Sequence, residues 1–299
     1  MELSLEGREA SAGVVPGTRG SMLDSGDEPM RAAALILWMA ASALAQPPGY
    51  RLVWADEFDA PGLPDPVRWN YERGMIRNNE AQFYTVERPE NARIENGFLV
   101  IEARRENWSQ DGKTARYTSA SVTTQCRQYW RYGRIEVRAK LPTGRGTWPA
   151  IWLLGQNIDK AGWPKCGEID IMENVGFDPD VIHANIHTEA YNHVRGTNKG
   201  NRITVKAPYE GFHVYALDWT PKRIVMSVDG KEYFTYENEG TGAAVWPFDQ
   251  PFYLILNLAI GGSWGGQQGV DDAIFPQRFE IDYVRVYQRD SPPRPARER

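Results

Sequence analysis

Three acids crowd into the segment Trp163-Pro-Lys-Cys-Gly-Glu168-Ile-Asp170-Ile-Met-Glu173-Asn-Val-Gly176. Glu168 and Asp170 are two residues apart, so on a strand they share a face, and Ile169 and Ile171 take the other. Glu173 comes five residues after Glu168 and would point away from it in a regular strand. One extra residue, a β-bulge at Ile171-Met172, returns Glu173 to the acid face. Three carboxylates on one strand face repel one another, which makes them a poor choice for a purely structural sheet. The chemistry that uses them is glycoside hydrolysis, in which one carboxylate attacks the anomeric carbon and another protonates the departing oxygen. With the bulge, Glu168 and Glu173 stand four strand positions apart, roughly 13 Å between Cα atoms. Sheet curvature and inward-leaning side chains can bring the carboxyl groups to about 5 Å, the spacing of retaining enzymes. Asp170, between them, can hydrogen-bond the nucleophile and raise the pKa of the acid by charge repulsion.

Such a strand needs a sheet to hold it, and the chain after Tyr50 reads as short strands punctuated by turns. Residues 92–103, ARIENGFLVIEA, place Asn96-Gly97 between two apolar runs, a hairpin pattern. Asp229-Gly230 stands in the same way between residues 223–228 and 232–236. Further strand-like runs are 132–140, 181–188, 212–219, 252–260 and 279–287. There is no long 3.6-residue periodicity after residue 45. Ten or more strands in one unit predict an all-β fold, a β-sandwich jelly roll of two antiparallel sheets.

With 299 residues, 41% of them hydrophobic and a formal net charge of −5, the chain suits a soluble globular protein. The acidic balance gives no electrostatic case for nucleic acid. Cys126 and Cys166, the two cysteines, rule out a multi-disulfide framework or a four-thiolate zinc site. One disulfide between them and two separate thiols both remain open. Residues 30–45 have the form of a secretory signal: Arg31, a short apolar run and an Ala43-Leu44-Ala45 ending. Residues 1–29 show no strong period and read as a non-native or disordered extension. The expected mature domain is 46–288, secreted or periplasmic and without a membrane span, followed by a disordered proline-rich tail at 289–299.

The motif Glu168-Ile-Asp170-Ile-Met-Glu173 resembles that of glycoside hydrolase family 16, in the bulged form of its laminarinase-like members. The resemblance covers nearly the whole mature chain. It takes in Leu52-Val-Trp-Ala-Asp-Glu-Phe58, Asn78-Asn-Glu80-Ala-Gln82, Gly146-Thr-Trp-Pro-Ala-Ile-Trp152, Leu256-Asn-Leu-Ala-Ile-Gly-Gly262 and Asp282-Tyr-Val-Arg-Val-Tyr287. It implies a jelly roll with a concave substrate cleft and endo-acting, retaining cleavage of β-glucans or galactans; a monomer is expected. It also implies that Glu168 is the nucleophile, Asp170 its helper and Glu173 the acid/base, with no cofactor needed for catalysis.

Around these acids, tryptophan offers a flat apolar face and an N–H donor to a sugar ring. Trp264, in a Gly-rich loop that is hard to bury, is expected to touch substrate; core packing is expected for Trp54, Trp152 and Trp219. By resemblance, Trp148 and Trp163 line the subsites flanking the scissile bond, and Asn79 hydrogen-bonds sugar. His183, Asn185 and His187 alternate and can face one way. The resemblance favours His187 as the substrate-side residue, and His183 is read as structural. It further implies a structural calcium ion, held by the Asp282 carboxylate and backbone oxygens near Glu57 and Gly97. One departure stands out: many relatives carry Arg after a Thr-Ser-Ala start, whereas Thr118-Ser-Ala-Ser-Val122 has none.

Neutral β-1,3-glucan is the leading substrate, because no basic cluster suited to sulfated galactans is visible. Mixed-linkage glucan and agarose are the alternatives within the enzyme class. A non-catalytic glucan-recognition protein on the same fold is the alternative outside it. Such proteins commonly lack one or both catalytic Glu residues, and this chain keeps both.

Overall fold

A computed structural model describes residues 46–289. The extension at 1–29, the leader at 30–45 and tail residues 290–299 lie outside the described residues. Arg289, expected to open the tail, is instead the last residue of the final strand, so the domain runs past 288.

Seventeen strands follow one another among the described residues. In chain order the first nine are β1 (Tyr50–Asp56), β2 (Asn70–Tyr71), β3 (Gln82–Tyr84), β4 (Ala92–Glu95), β5 (Phe98–Gln110), β6 (Lys113–Ser119), β7 (Ser121–Thr123), β8 (Gly133–Lys140) and β9 (Thr147–Gly155). After the one-turn helix α1 (Ile158–Ala161) come β10 (Glu168–Glu173), β11 (Val181–His187), β12 (Lys199–Thr204), β13 (His213–Trp219), β14 (Arg223–Val228), β15 (Lys231–Glu237), β16 (Phe252–Ile260) and β17 (Gln277–Arg289). They form two sheets. The larger runs β15-β14-β13-β8-β17-β5-β6-β3, with β1 on β17 and β4 on β5. The smaller runs β12-β11-β10-β9-β16-β7-β2 and carries the acids. No helix among the described residues is long and apolar enough to cross a membrane.

The hairpins form where the turn chemistry placed them. Asn96-Gly97 joins β4 to β5 and Asp229-Gly230 joins β14 to β15, all four residues at positive φ. Asp111-Gly112 does the same between β5 and β6. The pairs are antiparallel except β3 with β6, which is parallel and corrects the expectation of purely antiparallel sheets. A parallel pair needs a long connection, and here β4 and β5 lie within it.

Period-two alternation builds the core between the sheets. Ile151 and Leu153 of β9, Ile169 and Ile171 of β10, and Ile182, Ala184 and Ile186 of β11 face the larger sheet in one apolar cluster. The intervening Ala150, Trp152 and Leu154 belong to a second cluster with Tyr253 and Ile255. The smaller sheet therefore buries one face against the larger sheet and turns the other, with Ala150, Trp152 and Leu154, away from it. Cys126 is exposed, Cys166 is buried, and both are free thiols.

Candidate active site

Strand β10 departs from regular pairing at the point the spacing requires. Against β11, Glu168 stands opposite His187 and Asp170 opposite Asn185; the register then shifts, and Glu173 stands opposite His183. Against β9, Asp170 faces Trp152 and Glu173 faces Ala150, with the shift between Asp170 and Met172. Ile171 and Met172 both point into the core, fully buried, and this doubled step carries Glu173 back to the acid face. Tyr233 reaches across from β15 and donates through its hydroxyl to the Ile171 carbonyl at 2.8 Å. A backbone oxygen at the bulge is thus satisfied without a ladder bond.

The three carboxylates line a cleft of about 830 Å³ together with His187, Trp148, Trp163 and Trp264. Trp163 Nε1 donates to Glu168 Oε2 at 2.7 Å. Trp148 Nε1 donates to Glu173 Oε1 at 3.1 Å, and Asn185 Nδ2 to Glu173 Oε2 at 3.3 Å. Asn185 is itself oriented from outside, because Asn198 Nδ2 donates to its Oδ1 at 2.9 Å. The alternative orientation of the Asn185 amide would set its oxygen against Glu173. Gly200 pairs opposite Asn185, and a Cβ there would sit 2.2 Å from Asn185 Oδ1, so only glycine leaves room for this relay. His187 Nε2 lies 3.3 Å from Asp170 Oδ2 and 3.6 Å from Glu168 Oε1. The His187, Trp163 and His193 rings pack against one another, with Trp163 and His193 5.0 Å apart and His187 6.0 Å and 5.1 Å from them.

Among the described residues, no Arg or Lys pairs with any of these acids. Burial, and then the neighbouring Asp170 charge, push the Glu168 carboxyl up to about 8. Burial raises Asp170 well above the ordinary aspartate range, with the Glu173 charge adding to it. Glu173 is raised chiefly by burial, against the downward pull of His187 and the Trp148 and Asn185 hydrogen bonds. Asp170 is the most buried of the trio and is the natural holder of a shared proton. A proton there removes the charge that most opposes ionisation of Glu168. The site can thus present an ionised carboxylate and a protonated one on the same wall, as nucleophilic displacement with acid assistance requires.

The remaining expected residues fall on both sides of the prediction. Trp264 packs edge-on against Trp148, ring centroids 5.6 Å apart, and against His183 at 4.9 Å. His183, read as structural, lines the cleft. Trp152, read as core, also lines it, with Nε1 donating to Asn257 Oδ1 at 2.7 Å; Trp219 is fully buried in the core, and Trp54, half-buried, packs against it. Asn79 is exposed and outside the cleft wall, and its neighbour Asn78 takes that place. Both asparagines are at positive φ in a tight turn closed by the Glu80 N–H to the Arg77 carbonyl. The alternation of His183 with Asn185 and His187 was the available signal for His183. Trp152 carried none, because nothing in the sequence says that it stands opposite Asp170.

Among the described residues, Glu168, Asp170 and His187 form the one His/Asp/Glu group tight enough to hold a metal ion, its ligand atoms within 4.8 Å of one another. The calcium set does not form as expected. Strand pairing does bring Glu57, Gly97 and Asp282 towards one another. However, the Asp282 carboxylate accepts from Arg138 Nη1 at 2.5 Å, and Glu57 forms a two-point pair with Arg285. With a guanidinium already on the expected carboxylate ligand, these residues as arranged do not fit a cation.

Comparison with known proteins points the same way as the geometry. The sequence profile of Glycosyl hydrolases family 16 matches residues 79–285. A β-glucanase of Rhodothermus marinus is 52% identical over 250 residues, covering 81% of this chain and 86% of its own length. The X-ray structure of the laminarinase from Rhodothermus marinus superposes with a TM-score of 0.78 at 51% identity, over 81% of this chain and 98% of that one. A mutant of a non-specific endo-β-1,3(4)-glucanase gives a TM-score of 0.79 at 52% identity, over 81% and 96%. That enzyme was co-crystallised with 1,3-β-D-cellotriosyl-glucose and presents 1,3-β-D-cellobiosyl-glucose at its active site.

Proposed function

The chain belongs to glycosyl hydrolase family 16, and from that premise we propose that it is an exported endo-β-1,3-glucanase working through Glu168 and Glu173. It hydrolyses glycosidic bonds inside β-glucan chains with retention of configuration. The observation that carries the residue assignment is the bulge, which sets three cation-free carboxylates on one face of the cleft sheet.

Glu168 attacks the anomeric carbon and forms a glycosyl ester while the bond to the leaving sugar breaks. Trp163 holds Glu168 Oε2, which fixes the direction of the carboxylate. Glu173, raised by burial, gives its proton to the departing oxygen. It then takes a proton from water, which cleaves the ester from the opposite side. Asp170 and His187 control the charge beside Glu168 during both steps.

Laminarin is the expected substrate, and fragments of internal cleavage are the expected products. A broader β-1,3(4) specificity is the second reading, favoured by the similarity to the non-specific enzyme. Digestion of laminarin, lichenan, curdlan and agarose, with products resolved by linkage, separates the two. NMR of the first product anomer checks the mechanism: a β-anomer is expected, and an α-anomer would remove Glu168 as nucleophile. Export is proposed to cleave the leader after Ala45. N-terminal sequencing of the secreted protein should begin at about Gln46, and a mature chain still carrying residues 30–45 would refute it.

A further inference from the structure

One wall of the cleft carries a charge that the cleavage chemistry does not use. The loop between β2 and β3 is pinned by Lys113 Nζ, which donates to the Met75 carbonyl at 3.1 Å, and by the bridge from Gly74 to Tyr84. It presents Ile76 and Arg77 to the cleft. The Arg77 guanidinium lies against Trp152, its Cζ 4.7 Å from the ring centroid, and donates through Nη2 to Glu72 Oε2. The same oxygen accepts from Ser121 Oγ at 2.5 Å. Ser121 lies in the 118–122 segment, which has no basic residue of its own. Arg77 is the one Arg or Lys among the described residues that line the cleft.

Trp152 and Glu72 fix the plane of the guanidinium but occupy little of its bonding capacity. Arginine has five N–H donors, and the bond to Glu72 is the one side-chain hydrogen bond Arg77 makes among the described residues. Its side chain is 21% exposed, and Ile76 beside it is 42% exposed. Glu72 and the buried Glu80 offset its charge. A ligand here meets a rigid donor array with little net charge, next to an apolar rim. Those properties suit the hydroxyls of a neutral sugar better than an anion.

We propose that Arg77 is a substrate-binding and specificity-determining residue, whose free N–H donors hold the hydroxyls of a neutral glucose unit other than the one attacked. The inference rests on the glucanase reading and assigns a subsite within it. Because the contact is made equally in the ground and transition states, its loss appears in KM rather than in kcat.

The test compares the parent enzyme with Arg77→Lys and with the double variant Arg77→Met/Glu72→Gln, which removes donor and acid together and so leaves no carboxylate orphaned. Substrates are laminarin and β-1,3-linked gluco-oligosaccharides of two to six units. For the double variant, KM on laminarin should rise roughly 10- to 100-fold, the range for hydrogen bonds to a charged group, with kcat within about 3-fold. The penalty should shrink on the shortest substrates, and Arg77→Lys should fall between. The pH–rate profile should keep its midpoints, since neither Arg77 nor Glu72 is among the charges acting on Glu168, Asp170 or Glu173. An unchanged KM, or a loss of kcat equal at every length, would overturn the assignment. An inactive parent enzyme would instead bring down the glucanase reading on which the assignment rests.

Discussion

The chain contains the tripeptide Glu-Ile-Asp twice, at 168–170 on β10 and at 280–282 on β17, in opposite sheets. Each copy runs into a break in register. Their neighbours differ. Beside β17, strand β8 brings Lys140 opposite Glu280, with Nζ 2.5 Å from its carboxylate, and Arg138 Nη1 lies 2.5 Å from Asp282. Beside β10, the facing strands bring Leu154, Trp152, His187 and Asn185. On β17 the charges are matched pair by pair, and the acids help to join strands. On β10 there is no permanent cation among the described residues, and burial raises all three carboxyls instead. The same local sequence becomes an ion-paired seam or a buried acid cluster according to the strand alongside.

The largest effect expected from this contrast is kinetic. Glu168→Ala should lower kcat on glucan by about 10⁴-fold or more, as loss of a nucleophile does. Azide should restore turnover of an activated β-glycoside and give a product of inverted configuration. Glu280→Ala, the same change in the other tripeptide, should leave kcat within about 2-fold. Comparable losses from both substitutions would break the distinction.

Next comes stability against pH. The Glu168 carboxyl is raised from 4.5 to about 8, so the folded protein binds more protons than the unfolded chain between those values. Stability from this group is present at low pH and is lost as the pH rises through the folded value. Glu168→Gln keeps the shape without the ionisation. It should melt above the parent at pH 8, by about 4–8 °C for a gain on the order of 2 kcal/mol, and close to it near pH 4.5. Parallel melting curves across that window would show that Glu168 is not perturbed. The smallest effect belongs to β17, where Lys140→Met should cost about 0.2–1 kcal/mol, shrinking in high salt, with kinetics unchanged. A change in the pH–rate profile from this distant substitution would mean that the two sheets are not electrically separate.

Part of this contrast was legible in the chain. Residues 134–140, Arg-Ile-Glu-Val-Arg-Ala-Lys, alternate apolar residues with charges of both signs, the pattern of a sheet face laced with ion pairs. Residues 168–173 alternate with acids alone, and the odd spacing to Glu173 demanded the bulge that the register shows. Asn96-Gly97 and Asp229-Gly230 announced their hairpins because positive φ is a local requirement. Arg77 was not legible as a cleft residue. Its role depends on Glu72, Ser121 and Trp152, which lie far apart in sequence and meet only when the β2–β3 loop folds over the sheet.

The sequence by itself determined the acids, the face they share and the bulge between them, because side-chain direction along a strand repeats every two residues whatever else the chain does. It could not determine the surroundings of those acids. Asn257 receives the Trp152 indole hydrogen bond from 105 positions away, and Arg138 reaches Asp282 across 144. Such contacts depend on which strands lie side by side, and that order is set by burying the apolar faces of both sheets together. The tertiary structure alone therefore decided that one Glu-Ile-Asp would meet cations and the other would not.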